Sequence, residues 1–332
     1  MVKNHDEVDL MDSKTISYTA ANAIPVKIFK DERLVEHLNN AYIPPIHIQL
    51  IPTNKCNLNC SFCSCKKRDK TEELSLEQIN KLARKFKHLG CKAVTITGGG
   101  EPLMHPQISE IISSLYGCGM KIGLVTNGLL LHKLSQFDLS KITWCRVSCC
   151  DERPFEPSQE ILDVATWFGG NVDWAFSYVV GERYTPSNLN KYIRFANDHK
   201  FTHVRVVSDL CDLDHTSGME QIKQWITEDD SRVIYQGRKT YDKGQKDCWI
   251  SLLKPVIGAD GKIYPCCGVQ YAHDNQDLDL PESMCMGTLN DLDAIYKHQK
   301  PFCGLQCDRC YYKNYNDILG MMMEHTEHRE FV

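Results

Sequence analysis

Short apolar runs alternate with longer amphipathic segments from residue 46 onward. In the segment SLEQINKLARKFKHLG, for example, Leu76, Ile79, Leu82 and Phe86 recur at the spacing of one helical face. The apolar runs predict six strands, with the sequences IHIQLI, KAVTIT, KIGLVTNG, ITWCRVS, VDWAFSYVV and THVRVVS. Helices between successive strands favour parallel pairing through right-handed crossovers. The pattern therefore predicts an α/β fold, a partial (β/α)6 barrel with too few units to close as an eight-stranded barrel does.

This alternation ends near residue 209, and a different organisation follows. The segment MEQIKQWITEDD predicts one more helix, and Asp260–Gly261 separates two strand-like runs in a pattern typical of a β-hairpin. The segment YYKNYNDILGMMMEH predicts a last helix. These boundaries divide the chain into an N-terminal extension, a barrel core, a linker with a helix, a small domain of a β-hairpin plus a helix, and a C-terminal helix, at residues 1–45, 46–210, 211–247, 248–312 and 313–332.

Composition and charge argue against several classes of protein. The chain has 332 residues and a formal net charge of -5, and no long run of like charges predicts a tail that binds polyanions. No apolar stretch reaches the length of about 18 residues that a membrane span needs, and the polar start predicts no secretory signal. We therefore expect a cytoplasmic protein without a membrane partner. In that compartment, its 17 cysteines favour metal binding over disulfides.

The first group of cysteines lies directly after the first predicted strand. Cys56, Cys60 and Cys63 fall within the segment CNLNCSFCSC. Thiolates suit both iron–sulfur clusters and zinc, and three of them can hold three irons of a cubane cluster while leaving the fourth iron open. A zinc site would need a fourth donor, for which only Cys65 is at hand. This loop therefore favours an iron–sulfur cluster at the end of a strand, where parallel α/β folds place their sites.

The spacing Cys-x3-Cys-x2-Cys resembles the signature of the radical S-adenosylmethionine superfamily, which has an aromatic residue just before the last cysteine. Phe62 occupies that position. After the second predicted strand, the segment TGGGEP resembles the Gly-Gly-Glu element of the family, with Gly99, Gly100 and Glu101 at its positions. Glycines let the backbone approach a ligand closely, and a carboxylate beside them can accept a hydrogen bond from an ammonium group.

Two further polar residues end the third and fourth predicted strands, Asn127 in VTNG and Ser148 in RVSCC. Ser148 is similar to the residue that contacts the ribose of S-adenosylmethionine in the family. Both residue types also cap helices and turns, so a purely structural role stays open for each.

The resemblance implies a specific chemistry for this region. Cys56, Cys60 and Cys63 would bind a [4Fe–4S] cluster whose open iron chelates S-adenosylmethionine. Its reductive cleavage gives methionine and a 5'-deoxyadenosyl radical, which abstracts a hydrogen atom from a substrate carbon. An external one-electron donor such as flavodoxin or ferredoxin is implied as a partner. The residues implied to bind S-adenosylmethionine are Phe62, Gly99, Gly100, Glu101, Asn127 and Ser148.

The second group of cysteines resembles the auxiliary-cluster domains called twitch and SPASM. Cys248 and Cys266 flank the predicted hairpin, and Cys307 and Cys310 form a later Cys-x2-Cys pair. No cysteine follows Cys310, which favours the shorter twitch type with one [4Fe–4S] cluster on these four residues. Cys303 is a rival ligand on the same loop, and a structural zinc ion is the alternative for this domain.

The leading hypothesis is a net oxidation, a dehydrogenation or bond formation, of a peptide or a small natural-product-like substrate, in which the auxiliary cluster takes up an electron. A second hypothesis is a radical epimerase with a cysteine hydrogen donor. Modification of nucleotides or nucleic acids is a third, and a non-catalytic zinc-binding interaction protein is a fourth. The candidate hydrogen donors are Cys149, Cys150, Cys211, Cys267 and Cys285.

Overall fold

The computed structural model describes residues 23–150, 152, 172–180, 186–209, 219–236, 242–271, 282–325 and 327. Within these residues, ten strands form one sheet in the order β10-β9-β8-β1-β2-β3-β4-β5-β6-β7. The strands are β1 (His47–Leu50), β2 (Ala93–Ile96), β3 (Lys121–Thr126), β4 (Ile142–Cys150), β5 (Asp173–Val180), β6 (His203–Ser208), β7 (Val233–Gln236), β8 (Val256–Ile257), β9 (Lys262–Tyr264) and β10 (Gly287–Thr288).

Ten α-helices accompany the sheet in the same part of the chain. They are α1 (Ile24–Phe29), α2 (Glu32–Asn39), α3 (Leu76–His88), α4 (Ile108–Gly117), α5 (Gln136–Leu139), α6 (Pro186–Asp198), α7 (Met219–Trp225), α8 (Ile250–Leu253), α9 (Leu292–Lys297) and α10 (Lys313–Met323). Helix α3 begins at a capping box, because the Ser75 hydroxyl accepts a hydrogen bond from the Gln78 backbone and the Gln78 side chain accepts one from the Ser75 backbone.

The mostly parallel sheet confirms the predicted α/β fold class. All six predicted strands are present as β1 to β6, and each pairs in parallel with its neighbour in sequence. The structure adds the parallel strand β7 beside β6, inside the segment that the sequence predicts as a linker with a helix. The segment SQEILDVATWFGG, at residues 158–170, predicts a helix after β4, and it lies outside the described residues. The last predicted helix is α10, which ends at Met323.

The predicted hairpin is also present, and it belongs to the same sheet. Strands β8 and β9 pair antiparallel, with Gly261 in the turn at a φ of 75°, a conformation that favours glycine. Strand β8 also pairs in parallel with β1, where Gln49 is in register with Val256. The hairpin therefore continues the barrel sheet beyond β1.

The hydrophobic core lies between the sheet and its helices. On β5, the ring of Phe176 stacks on Phe201 with the centroids 4.8 Å apart. Helix α1 buries Ile24 and Ile28 and reaches the cavity inside the barrel. Over the described ranges, the helices are too short or too polar to cross a bilayer.

Candidate active site

The first predicted cysteine set lies on the connection between β1 and α3, residues 51–75, which we call the cluster loop. The thiols of Cys56, Cys60 and Cys63 are all half-buried. The Cys56 sulfur accepts a hydrogen bond from the Leu58 backbone at 3.5 Å, and the Cys63 backbone donates to the Cys60 carbonyl at 3.2 Å. The loop thus presents three partly accessible thiols close together in sequence beside the end of β1, a donor set that suits three irons of a cubane cluster.

The glycines after β2 pack against the beginning of the cluster loop. The Glu101 backbone donates a hydrogen bond to the Lys55 carbonyl at 2.8 Å. A Cβ atom on Gly99 would overlap the Asn54 side chain, and one on Gly100 would overlap the Lys55 carbonyl. Glycine at these two positions is therefore required by the close approach of the two loops, whether or not a ligand also approaches them.

Replacing Gly99 with alanine is expected to destabilise the protein by about 1–3 kcal/mol, because the new methyl group must displace the Asn54 side chain. The matched control is Gly117→Ala, at the exposed end of α4, where an added Cβ has no atom within 4 Å. That control should be neutral or stabilising by up to about 1 kcal/mol. The free energy of unfolding in urea measures both, and equal stability of the two variants would contradict the packing argument.

Glu101 is buried and joins the ends of β2 and β3. Its carboxylate accepts hydrogen bonds from the Leu103 backbone at 3.1 Å, the Thr126 hydroxyl at 2.7 Å and the Asn127 backbone at 2.7 Å. These bonds fix the orientation of the carboxylate at the carboxyl end of the sheet. The role implied by the resemblance, binding of the amino group of S-adenosylmethionine, stays a prediction.

The remaining residues predicted to bind S-adenosylmethionine lie at the same end of the sheet. The Asn127 side chain donates to the Asn57 side chain of the cluster loop at 2.7 Å and accepts from the Leu129 backbone at 3.0 Å. Ser148 is half-buried on β4, and Phe62 is half-buried on the cluster loop. Asn127 therefore forms a turn and also attaches that turn to the cluster loop. Contacts of these residues with S-adenosylmethionine stay predictions.

A cavity of about 630 Å³, here called the barrel cavity, runs through the inside of the sheet. At the carboxyl end of the strands, it is lined by Gly98 and by Arg68 of the cluster loop. At the opposite end, it is lined by His47 and by Lys27 of α1. Its volume lies within the range of about 300–1,000 Å³ that is usual for small-molecule sites.

A direct contact joins the cluster loop to the loop that follows the hairpin. The Gln270 side-chain oxygen accepts hydrogen bonds from Arg68 at 2.7 Å and from the Cys65 thiol at 3.1 Å. The Cys65 thiol also shares a hydrogen bond with Cys63, which raises the pKa of Cys63 and lowers that of Cys65. The two parts of the chain that carry the predicted cysteine sets are therefore in contact.

The structure gathers the second cysteine set around one small cavity. The four predicted ligands, Cys248, Cys266, Cys307 and Cys310, all line it. The rival Cys303 is exposed and does not line this cavity. Cys303 thus lies apart from the four cysteines around the cavity, and the ligand set itself stays a prediction.

Burial and mutual proximity hold these thiols in the protonated form. Burial, and then the nearby Cys310, raises the pKa of both Cys248 and Cys307 to about 12. In a zinc site, four sulfurs lie about 2.3 Å from one metal ion. In a cubane site, the four thiolates surround the larger space that the cluster occupies. Among the described residues, no three His, Cys, Asp or Glu side chains converge on a single metal-ion position. The assignment of a [4Fe–4S] cluster to this cavity stays a prediction.

The barrel cavity and the four-cysteine cavity share a wall. Tyr311, Tyr312 and Cys266 line both of them. Cys267 lines the barrel cavity, and its sulfur lies 3.4 Å from the Tyr312 hydroxyl. One member of the second cysteine set, Cys266, is thus part of the wall of the barrel cavity, and the other three lie on the far side of that wall.

Among the candidate hydrogen donors, Cys267 is the described thiol that lines the barrel cavity. Cys149 and Cys150 are buried on β4, and the Cys149 thiol donates to a backbone carbonyl of β5 at 3.5 Å. Cys285 is half-buried, and its thiol donates to a backbone carbonyl at 3.2 Å. Cys211 lies outside the described residues.

Several cavity residues are missing from the sequence predictions, notably Arg68, Arg146, Arg205, Lys254 and Gln270. Arg146 and Arg205 did leave a signal, because each is a charged residue within an otherwise apolar predicted strand. Such a charge is rarely buried unless the strand faces a polar interior. Nothing in the sequence marks Arg68 and Gln270 as cavity residues, because they are 202 residues apart and meet only in the folded structure.

Comparison with known protein families identifies the region around the cluster loop. Residues 50–144 match the family model described as the Radical SAM superfamily. Over 114 residues, the chain is 37% identical to GTP 3',8-cyclase of Staphylococcus carnosus. The aligned part is 31% of this chain and 33% of that protein, so the match spans about a third of the relative.

Two solved structures share the fold over most of the chain. Streptococcus suis SuiB superposes with a TM-score of 0.58 at 15% identity, covering 91% of this chain and 81% of that one. The protein anSMEcpe superposes with a TM-score of 0.52 at 14% identity, covering 87% of this chain and 86% of that one. SuiB is also known with the precursor peptide SuiA, and anSMEcpe with AdoMet and a peptide. Because the sequence identities are only 14–15%, these superpositions show a shared fold.

Proposed function

Residues 50–144 form a radical S-adenosylmethionine domain, and from this premise we propose that the chain is an enzyme that oxidises a substrate carbon held in the barrel cavity. The observation that carries this proposal is the wall of Cys266, Tyr311 and Tyr312 between the barrel cavity and the four-cysteine cavity. A substrate in the first cavity would thus lie beside the wall that borders a group bound in the second. That proximity favours electron transfer over a purely structural role for the second cysteine set.

We assign each of the two proposed clusters its own site and its own role. Cys56, Cys60 and Cys63 would hold the first [4Fe–4S] cluster, and Cys248 with the three other cysteines of its cavity would hold the second. When bound, the clusters supply electron transfer, for reductive cleavage of S-adenosylmethionine at the first and for uptake of one electron from the substrate at the second. All four thiols of the second site are then used as ligands, so the substrate need not bind this cluster.

The residues of the chain orient the reactants and exclude water. Glu101 and Asn127 fix the loops at the carboxyl end of the sheet, where S-adenosylmethionine would bind. Gln270 and Arg68 are in contact where both line the barrel cavity beside the cluster loop, and they would cover the substrate there. A closed site protects a substrate radical from side reactions. Loss of one hydrogen atom, one further electron and one proton from the substrate completes a two-electron oxidation.

The similar proteins point to two different substrate classes, peptides and small molecules. The fold neighbours SuiB and anSMEcpe have been solved with peptides, and the curated relative is a GTP 3',8-cyclase. A cavity of about 630 Å³ suits a small molecule or one side chain of a peptide. We therefore keep a small molecule or a peptide residue as the proposed substrate.

Reaction in deuterated water tests the oxidation. With dithionite, S-adenosylmethionine and candidate peptides or small molecules, we expect a product that has lost two hydrogens and carries no carbon-bound deuterium from solvent. Mass spectrometry of the product measures both properties. A product of unchanged redox state with one solvent deuterium on carbon would contradict the oxidation.

A radical epimerase is the second candidate function, because the Cys267 thiol lines the barrel cavity that would hold the substrate. In that reaction, a thiol returns a hydrogen atom to the opposite face of the substrate radical. If the protein is an epimerase, Cys267→Ser would stop turnover after hydrogen abstraction. If it is an oxidase, the same variant would keep most of its turnover. Cys118→Ser, at the end of α4, is a matched control because Cys118 does not line the barrel cavity.

A further inference from the structure

Gln236 is the last residue of β7, and its side chain lines the barrel cavity. The preceding residue, Tyr235, has its ring 5.2 Å from the Lys223 ammonium of α7, outside the cavity lining. Successive side chains of a strand point to opposite faces of the sheet, so Gln236 points to the inner face. Strand β7 therefore places a carboxamide inside the barrel.

The carboxamide of Gln236 is buried and carries an unpaired acceptor. Only 5% of the surface of this residue is exposed. In the part of the chain that the structure describes, its side-chain oxygen has no hydrogen-bond partner. A buried amide oxygen has lost its hydration, and without a donor this loss is not compensated. An unpaired oxygen in the wall of a cavity therefore calls for a donor from a molecule inside the cavity.

The sheet around Gln236 does not supply that donor. Val207 of β6 is in register with Gln236, and Ile234 precedes it by two residues on the same face of β7. Both have apolar side chains, and backbone N–H groups are used in the pairing of β6 with β7. The donor is therefore expected from the open side of the carboxamide, which is the cavity.

Gln236 also lies at the end of the sheet where the chemistry is proposed to occur. Strands β1 to β7 are parallel, so the end of β7 and the cluster loop after β1 lie at the same end of the barrel. A substrate group that reaches Gln236 is thus on the part of the molecule that faces the proposed site of S-adenosylmethionine.

A second unpaired group, of the opposite kind, lines the same end of the cavity. Arg68 of the cluster loop donates to the Gln270 side chain at 2.7 Å, but its Nε atom is buried and has no hydrogen-bond partner among the described residues. This end of the cavity therefore has a spare donor as well as the spare acceptor of Gln236. Amide and hydroxyl groups can both donate and accept, and they match this pair of needs.

We infer that the substrate donates a hydrogen bond from an N–H or O–H group to the side-chain oxygen of Gln236. The inference rests on the proposed function, in which the barrel cavity holds the substrate, and it deepens that function by naming a residue that selects the substrate. A molecule of the same shape without a donor would leave the Gln236 oxygen buried and unpaired. A site built around such an oxygen rejects that molecule.

Saturation-transfer NMR of two small amides with the full-length protein tests the inference. N-methylacetamide has an N–H donor, whereas N,N-dimethylacetamide keeps the carbonyl acceptor and has no donor. We expect the wild type to bind N-methylacetamide at least about threefold more tightly, as one hydrogen bond predicts. Gln236→Met removes the acceptor at nearly constant side-chain length, and it should abolish this preference. Because both amides are compared in each protein, effects of the extra methyl group cancel.

Two further variants separate the acceptor from a structural role of the side chain. Gln236→Glu keeps an acceptor oxygen and should keep the preference. Gln136→Met, at the exposed start of α5 and outside the cavity lining, should behave like the wild type. Thermal unfolding checks that Gln236→Met is folded, and Gln236→Leu replaces it if it is not.

Equal affinity of the wild type for the two amides, or the wild-type preference in a folded Gln236→Met or Gln236→Leu variant, would overturn the inference. The titrations are repeated with saturating S-adenosylmethionine, and loss of the preference in its presence would assign the oxygen to the cofactor and would also overturn it. None of these titrations needs a reductant. Formation of 5'-deoxyadenosine by the wild type under dithionite is measured separately, so failure of the radical chemistry is distinguished from failure of this contact.

Discussion

Replacing Cys56, Cys60 and Cys63 together with alanine is expected to abolish formation of 5'-deoxyadenosine from S-adenosylmethionine under dithionite. The three half-buried thiols lie on one loop at the end of β1 and are the proposed ligands of the first cluster. Without them, no iron is held where S-adenosylmethionine would be chelated. Chromatographic measurement of 5'-deoxyadenosine should give no more than the rate seen without enzyme.

Metal content and a matched variant complete this test. Iron should fall from roughly eight to four atoms per chain, the content of two and of one cubane cluster. Cys118→Ala is the control, because this half-buried cysteine lies at the end of α4 and belongs to neither predicted set. Undiminished 5'-deoxyadenosine in the triple variant would refute the assignment.

Cys307→Ala is expected to remove most of the iron of the second site and to abolish net oxidation of the substrate. Cys307 lines the four-cysteine cavity, and a cubane cluster with one ligand missing is expected to be lost readily. Iron and acid-labile sulfide, together with the yield of oxidised product, measure the effect.

Cys303→Ala is the control for this second variant, since Cys303 is exposed and lies only a few residues away outside the cavity. It should keep the iron content and the product yield of the wild type. If Cys303→Ala loses iron and Cys307→Ala does not, the ligand set is wrong. Zinc without sulfide in the wild-type protein would instead indicate a structural zinc site.

Much of the fold is encoded locally and could be predicted from the sequence. The six strands are apolar runs separated by helical segments, and the hairpin is marked by Asp260–Gly261. Strand β7 was missed because its apolar run, VIY, has only three residues between polar segments, whereas the runs that predicted β1 and β2 have about six. The pairing of β8 with β1 could not be predicted either, because it joins segments about 200 residues apart.

The candidate site also has one part that the sequence predicts and one part that it does not. Cysteine spacing is a local signal, and it predicted both cysteine sets and the loops that carry them. The cations of the barrel cavity are not close in sequence, and they meet only through the register of the sheet. Arg146 is in register with Ala175, which is in register with His203, so two strand pairings bring the guanidinium and the imidazole together. No single segment contains that information.

Strand β1 has hydrogen-bonded neighbours on both of its edges, β2 on one side and β8 on the other. It leads directly into the cluster loop, and β8 leads through the hairpin to Cys266. A strand paired on both edges cannot slide without breaking two ladders at once. The separation between the two proposed metal-binding regions is therefore set by backbone pairing. If both bind clusters, the path for an electron between them should keep a constant length during turnover.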